Sequence, residues 1–161
     1  TMKQSNPRKI LFVCLGNICR SPLAETIMHS LVEKRGCAEN YEIDSAGILD
    51  YHVGESADPR MIFHAHRRGY MITHNSRAVK KTDFEEFDII VGMDDENISD
   101  LQYLAQTDEK RTKIHRMTDY CPEFGANSVP DPYYGGDAGF ELVIDMLEVA
   151  CANLLDTLEA K

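Results

Sequence analysis

A cysteine and an arginine six positions apart are the residues of this sequence whose spacing most directly indicates chemistry. Cys14 follows the mostly apolar run 9–13, and Arg20 is followed by Ser21 and Pro22. A buried strand that leads through a short loop into a helix directs unpaired backbone N–H groups and the positive helix end toward one point, where an anion binds. The sequence therefore predicts an oxyanion site between Cys14 and Ser21.

The same residue types could carry out group transfer to sulfur. The thiolate is the nucleophilic form of cysteine, and an ordinary thiol is mostly protonated at neutral pH. Hydrogen bonds from the Ser21 hydroxyl and the loop N–H groups, together with the helix end, would stabilise a charged Cys14. The planar guanidinium of Arg20 matches two phosphate oxygens. The alternative interpretation makes Cys14 a small buried residue and Arg20 a surface charge.

A leaving group expelled from phosphorus needs a proton, and Asp131 is the candidate donor. It opens the segment 131–136, in which a proline and two glycines frame two tyrosines. Such a segment is typical of a surface turn with aromatic walls. The alternative is an ordinary Asp-Pro turn in the acidic half of the chain.

Composition narrows the class of protein. The 161 residues carry a formal net charge of −10. Residues 1–80 contain eleven basic and eight acidic residues, whereas residues 81–161 contain six basic and nineteen acidic residues. This balance disfavours a nucleic-acid binder and places an anionic ligand in the first half. No apolar run approaches the roughly 20 residues of a membrane helix. We predict one domain over 1–161, with 1–7 flexible and Thr1-Met2 a cloning remnant.

Cysteine and histidine usage bears on the compartment and on metals. The five cysteines are an odd number without a CxxC pair, and no secretory leader precedes them. A reduced, cytoplasmic location is therefore expected. His64 and His66 form only a weak pair of metal ligands, and no zinc-finger spacing is present. We expect no metal, no cofactor, and a monomer or weak dimer.

Strand patterns alternate with helix patterns along the chain. Strands are predicted at 9–13, 41–46, 87–93 and 113–117, and helices at about 22–35, 60–68, 97–105 and 138–158, with a short acidic helix near Phe84. Ser21 is predicted to cap the first helix, with Pro22 at its first position. Residues 121–137 hold three of the six prolines and are predicted as a loop. The alternation is typical of an α/β domain whose parallel sheet is covered by helices on both faces.

From Ile10 to Leu158 the sequence resembles the low-molecular-weight protein tyrosine phosphatase family. The resemblance rests on the segment 13–22, VCLGNICRSP, and on Asp131-Pro132. It implies a flavodoxin-like sheet in the order 2-1-3-4 and hydrolysis of phosphotyrosine proteins or small aryl phosphates, with inorganic phosphate as product. Cys14 would form a phosphocysteine, Arg20 would clamp the phosphate, and Asp131 would serve as acid and then as base.

The resemblance also implies the surroundings of the phosphate. The phosphate-binding residues would be Leu15, Gly16, Asn17, Ile18, Cys19 and Ser21. Ser45 and His74 would belong to a hydrogen-bond network that supports the loop. The expected walls of a slot for the phenyl ring are Leu15, Ile18, Tyr51, Tyr133 and Tyr134, with Asp50 beside them. A separate prediction concerns Cys19, a second thiol in the same short loop: it would trap oxidised Cys14 as a disulfide. The alternative is that Cys19 is a buried residue of the core without a role in the chemistry.

Two other functions could use such a loop. A thiol-linked arsenate reductase of the same fold needs a further cysteine pair downstream, and residues 75–95 contain no cysteine. A phosphopeptide-binding module would hold the anion without cleaving it. The joint presence of Cys14, Arg20 and Asp131 argues against that second alternative.

Overall fold

One parallel sheet forms the centre of the molecule. The computed structural model describes residues 6–161, apart from the side chain of Tyr134. The strands are β1 (Arg8–Cys14), β2 (Tyr41–Gly47), β3 (Ile89–Gly92) and β4 (Ile114–Arg116). Their order is β2-β1-β3-β4, which confirms the predicted fold class. The segment 1–7 that we predicted to be flexible overlaps residues 1–5, which lie outside the described part of the chain.

Six α-helices of the described part of the chain connect and cover the strands. They are α1 (Arg20–Lys34), α2 (Pro59–Arg67), α3 (Asp83–Glu86), α4 (Asp95–Ala105), α5 (Asp108–Arg111) and α6 (Asp137–Glu159). The predicted loop 121–137 contains two short 3-10 turns, Pro122–Phe124 and Pro132–Tyr134. Across residues 6–161, no helix combines the length and apolar character that crossing a bilayer requires.

Strand β1 is buried on both of its faces. Because side chains alternate along a strand, Ile10, Phe12 and Cys14 enter one core cluster, whereas Leu11 and Val13 enter the other. The first cluster also contains the apolar faces of α1 and α6, and the second contains residues of α3 and α4. The helices therefore cover both faces of the sheet, as the apolar run predicted.

The strand order creates a crevice at the carboxyl end of β1. The chain pairs β2 with one edge of β1 and then crosses to pair β3 with the other edge. Open α/β sheets bind ligands where neighbouring connections diverge in this way. The segment after β2 lines this crevice, since Ile48 N donates to Cys14 O at 3.0 Å and Leu49 N donates to Leu15 O at 2.9 Å.

The predicted start of α1 was wrong. The helix begins at Arg20, and the residue at its N-cap is Cys19, without a side-chain capping bond. Ser21 lies inside the first turn with Pro22 after it. The Ser21 hydroxyl does not cap the helix because it is bonded to other side chains of the loop, among them Asn17, and lies 3.0 Å from Cys14 Sγ.

Candidate active site

The loop from Leu15 to Cys19 has a tightly constrained backbone. Asn17 has a φ of 57°, in the left-handed region that few residues other than glycine adopt. The end of β2 passes close behind this loop: a Cβ on Gly47 would lie 3.0 Å from backbone atoms of Leu15, Gly16 and Asn17. Glycine at position 47 is therefore needed for the close approach of strand and loop.

Cys14 is buried at the end of β1 with hydrogen-bond donors around its sulfur. Its Sγ accepts from Ser21 N at 3.4 Å and lies 3.0 Å from Ser21 Oγ. Asn17 Nδ2 donates to Ser21 Oγ at 2.8 Å, so the hydroxyl hydrogen is available to the sulfur or to Ala46 O at 3.4 Å. Ser21 thus places its backbone N–H and its hydroxyl beside the sulfur of Cys14.

The Asn17 side chain connects the loop to two other segments. Its Oδ1 accepts from His74 Nε2 at 2.8 Å and from Arg77 N at 3.0 Å. Its Nδ2 donates to Ser45 Oγ at 3.0 Å as well as to Ser21. Asn17 is 1% exposed, and these four bonds hold it in its unusual backbone conformation. The structure thus brings Ser45 and His74 together around the loop.

Glu25 of α1 completes this network and was not found from the sequence. Its Oε1 accepts from Ser45 Oγ at 2.7 Å and pairs with His74 Nδ1 at 3.1 Å, and Oε2 lies 3.3 Å from His29 Nε2. Burial by itself would raise the pKa of Glu25, but the hydrogen bonds from His29, His74 and Ser45 lower that pKa to about 2. Glu25 is therefore ionised at neutral pH.

Arg20 is a buried cation with several anionic partners. Its Nη1 donates to Asp94 Oδ2 at 2.7 Å and to Val129 O at 3.0 Å. Its Nη2 lies 3.6 Å from Asp131 Oδ2. Burial lowers the pKa of Arg20, but the negative charge of Cys14, Asp94 and Asp131 outweighs burial, and the net effect on this pKa is an increase. The alternative of a surface charge is excluded, because Arg20 is 2% exposed.

Asp131 stands at the start of a 3-10 turn opposite Arg20. Its Oδ1 accepts from Tyr133 N at 3.0 Å, which leaves Oδ2 facing Arg20. The preceding backbone is attached to the sheet because Val129 N donates to Met93 O at 2.8 Å, just after β3. The Asp131 side chain is 32% exposed, so it can reach both solvent and a ligand.

One cleft of about 200 Å³ joins these groups. Its lining residues are Cys14, Leu15, Gly16, Ile18, Cys19, Arg20, Leu49, Tyr51, His52, Asp131 and Tyr133. Of the rim residues that we predicted, Asp50 is exposed and does not line this cleft. Tyr134 lies outside the described side chains.

Sequence reasoning missed Leu49, His52 and Asp94. His52 lies over the loop, because a Cβ on Gly16 would be 3.1 Å from its Cδ2. Asp94 caps α4 through Asn97 N at 2.8 Å and holds Arg20 with its other oxygen. A signal for Asp94 did exist: it is a helix-capping residue shortly after the strand that pairs with β1.

Metal-ligating side chains meet at one place among residues 6–161. Ligand atoms of Glu25, Asp44 and His74 lie within 4.8 Å of one another. His74 Nδ1 already pairs with Glu25 at 3.1 Å and with Asp44 at 3.5 Å, so these contacts account for the grouping as ion pairs. In the pair considered from the sequence, His64 is bonded to two carboxylates and His66 is exposed.

Glu25 gives a prediction for stability against pH. Its pKa is about 2 in the folded protein against 4.5 ordinarily, so its stabilisation is complete above pH 4.5 and disappears as the pH falls toward 2. We expect Glu25→Gln to lower the free energy of unfolding by about 2 kcal/mol at pH 7 and by much less near pH 2.5. Urea denaturation at both pH values measures this. The exposed Glu33→Gln on the same helix is the control, and an equal loss at both pH values would contradict the prediction.

Known proteins are similar to this chain over most of its length. The sequence profile described as low molecular weight phosphotyrosine protein phosphatase matches residues 9–161. Low molecular weight phosphotyrosine protein phosphatase 1 of Drosophila melanogaster is 44% identical, with 92% of this chain and 95% of that protein covered. The low molecular weight phosphotyrosine protein phosphatase of Homo sapiens is 36% identical, with 96% and 98% covered.

A solved structure shows the same fold. The protein tyrosine phosphatase from Entamoeba histolytica, crystallised with Hepes in its active site, superposes with a TM-score of 0.92 at 46% identity, covering 95% of this chain and 97% of that chain. Fold, profile and relatives thus agree over nearly the whole length. The chain therefore belongs to the low molecular weight phosphotyrosine protein phosphatases, a family of cysteine-dependent hydrolases.

Proposed function

We propose that the protein hydrolyses phosphotyrosine and small aryl phosphate monoesters through a phosphocysteine intermediate. The observation that carries this proposal is the convergence of Cys14, Arg20 and Asp131 on one cleft. A nucleophile, a phosphate clamp and a proton donor are the three groups that the reaction requires.

In the first step, the Cys14 thiolate attacks phosphorus while the bond to the phenol oxygen breaks. Arg20 Nη1 is held by Asp94 and Val129, so the guanidinium is oriented before the phosphate arrives. Its Nη2, on the Asp131 side, would pair with the charge that develops on the phosphoryl oxygens. Asp131 donates its proton to the departing phenol oxygen.

In the second step, water attacks phosphorus and the bond to sulfur breaks. Asp131, now deprotonated, takes a proton from this water. The Ser21 hydroxyl, 3.0 Å from Cys14 Sγ, stabilises the departing thiolate. Inorganic phosphate is released and Cys14 is ready for another turnover.

The cleft walls support an aromatic substrate. Tyr51 and Tyr133 stand at the mouth of the cleft with 76% and 40% exposure, and Leu15 and Ile18 form its apolar sides. A phenyl ring fits between such walls. Phosphotyrosine proteins are therefore the proposed partners.

A cytoplasmic location belongs to the same proposal and is supported by five free cysteines. A state of monomer or weak dimer stays a prediction.

Hydrolysis of p-nitrophenyl phosphate tests the assignment. We expect the parent protein to turn over this substrate in the presence of EDTA. We expect Cys14→Ser to lose at least about 10³-fold in kcat, because a serine hydroxyl is a far weaker nucleophile than a thiolate. Binding of phosphate without turnover would favour the phosphopeptide-binding module. Activity that EDTA abolishes would instead indicate a metal-dependent reaction.

The variant Asp131→Ala tests whether Asp131 donates the proton to the leaving phenol. We expect about 10²-fold or greater loss of kcat/KM on a phosphotyrosine peptide and a much smaller loss on an ester whose phenol is already acidic. For the parent protein, kcat/KM should follow a bell-shaped pH profile, since the proposed reaction needs Cys14 as a thiolate and Asp131 as an acid. Equal losses on the two esters would remove Asp131 from the acid role.

Reversible oxidation is a further part of the proposal. Cys19 lines the same cleft as Cys14 and is 3% exposed. Burial, followed by the nearby Asp58 and Cys14 charges, raises the pKa of Cys19, so Cys14 is the thiol that peroxide oxidises first. Peroxide would convert Cys14 to the sulfenic acid with loss of water. Attack by Cys19 would then form the disulfide and release a second water.

Peroxide treatment followed by a thiol reductant tests this step. We expect the parent to recover most of its activity and Cys19→Ser to recover several-fold less, because its oxidised Cys14 proceeds to irreversible states. Cys121→Ser, which replaces a buried cysteine of the core, is the control. If Cys19→Ser and the parent recover the same fraction of activity, Cys19 has no protective role and only fills space in the core.

A further inference from the structure

Helix α2 contacts both loops of the active site. At its beginning, Asp58 N donates to Ile18 O at 2.8 Å, which attaches the helix to the phosphate-binding loop. Asp58 also caps α2 by accepting from Arg60 N at 2.8 Å. The position of α2 is thus set by the loop that carries Cys14 and Arg20.

The same helix reaches the segment that carries Asp131. The Arg60 guanidinium lies over the Tyr133 ring at 5.2 Å and over the Phe140 ring at 4.9 Å. It therefore bridges the 3-10 turn after Asp131 and the first turn of α6. Pro132 of this turn and Gly139 of α6 are also neighbours, because a Cβ on Gly139 would lie 4.0 Å from Pro132 Cβ.

His64 makes a buried contact between α2 and α6. It is 2% exposed, and its ring is stacked on Phe140 with an interplanar angle of 5° and a centroid distance of 5.4 Å. Its Nδ1 lies 2.5 Å from Glu141 Oε2, and its Nε2 lies 3.2 Å from Asp137 Oδ1. The three partners occupy positions i, i+3 and i+4 of α6 and thus share one face of its first turn.

The chemistry of these contacts makes them directional. Each nitrogen of the His64 ring faces one carboxylate, so the ring makes two contacts whose directions are fixed by its geometry. Glu141 also accepts from Arg68 Nη2 at 2.7 Å. The hydrogen bond from Arg68 and then that from His64 lower the pKa of Glu141 despite some burial, so this carboxylate is ionised. A ring held in this way resists both sliding and rotation of α6 against α2.

We propose that His64 is a positioning residue for Asp131. Asp137 begins α6 only six residues after Asp131, and the intervening chain is a short turn bounded by Pro132 and Gly136. By holding the first turn of α6 on α2, His64 sets where that turn places the Asp131 carboxyl relative to Cys14. The inference rests on the acid role proposed above for Asp131.

A merely structural role for His64 has a different kinetic signature. If the variant only loses folded protein, kcat/KM falls by one common factor for every substrate. If Asp131 is displaced from the leaving oxygen, the loss grows with the basicity of the leaving phenol, because only basic phenols need the proton. The dependence of kcat/KM on leaving-group basicity therefore distinguishes the two roles.

The experiment measures kcat/KM of His64→Ala on a series of aryl phosphates from phenyl phosphate to 2,4-dinitrophenyl phosphate. We expect a loss of about 10-fold on phenyl phosphate and less than about twofold on the dinitrophenyl ester. The control is His66→Ala, which removes an exposed imidazole two residues away on the same helix. A uniform loss, or none, in the folded His64 variant would overturn the proposal.

Further variants complete the design. Asp131→Ala should steepen the dependence on leaving-group basicity, and adding His64→Ala to it should steepen the dependence no further. If Asp131→Ala steepens the dependence of kcat/KM on leaving-group basicity and His64→Ala does not, only the proposed role of His64 is wrong. If Asp131→Ala does not steepen this dependence, the assignment of Asp131 as the acid is wrong, and the inference about His64 is wrong with it. Should His64→Ala not fold, His64→Gln, which can still donate to one carboxylate, is measured against the same criteria.

Discussion

The burial of the Arg20 guanidinium constrains the rest of the site. A cation at 2% exposure is stable only if its hydrogen bonds and its charge are satisfied. Asp94, after β3, and the carbonyl of Val129 provide those bonds, and Asp131 adds a second carboxylate at 3.6 Å. The end of β1, the end of β3 and the segment before α6 must therefore converge wherever Arg20 lies.

A second buried network supports the loop from behind. Asn17 holds its left-handed conformation because its amide bonds to Ser21, Ser45, His74 and the backbone of Arg77. These bonds also orient the Ser21 hydroxyl toward the sulfur. The backbone geometry of the loop and the orientation of the Ser21 hydroxyl thus have a common origin, and the ionised Glu25 anchors the network to α1.

Helix α2 relates the two loops to each other. It is bonded to the loop from Leu15 to Cys19 at Asp58 and to the start of α6 through Arg60 and His64. Cys14 and Asp131 are separated by more than a hundred residues in the chain, yet one helix contacts the segments that carry both. The relative position of two reacting groups then depends on side chains that touch neither of them.

The sequence alone determined the fold class and singled out the residues on which the proposed chemistry rests. The apolar run before Cys14, the spacing to Arg20 and the alternation of strand and helix patterns are local signals, so they predicted the parallel sheet and the anion-binding loop. The error over Ser21 as a cap arose because its hydroxyl bonds to Cys14 and Asn17 rather than to the helix. Only the tertiary structure decided the partners of Arg20, the anchoring by Glu25 and the contacts of His64. These pairs join residues distant in the chain, and their meeting depends on strand register and helix packing, which no local pattern encodes.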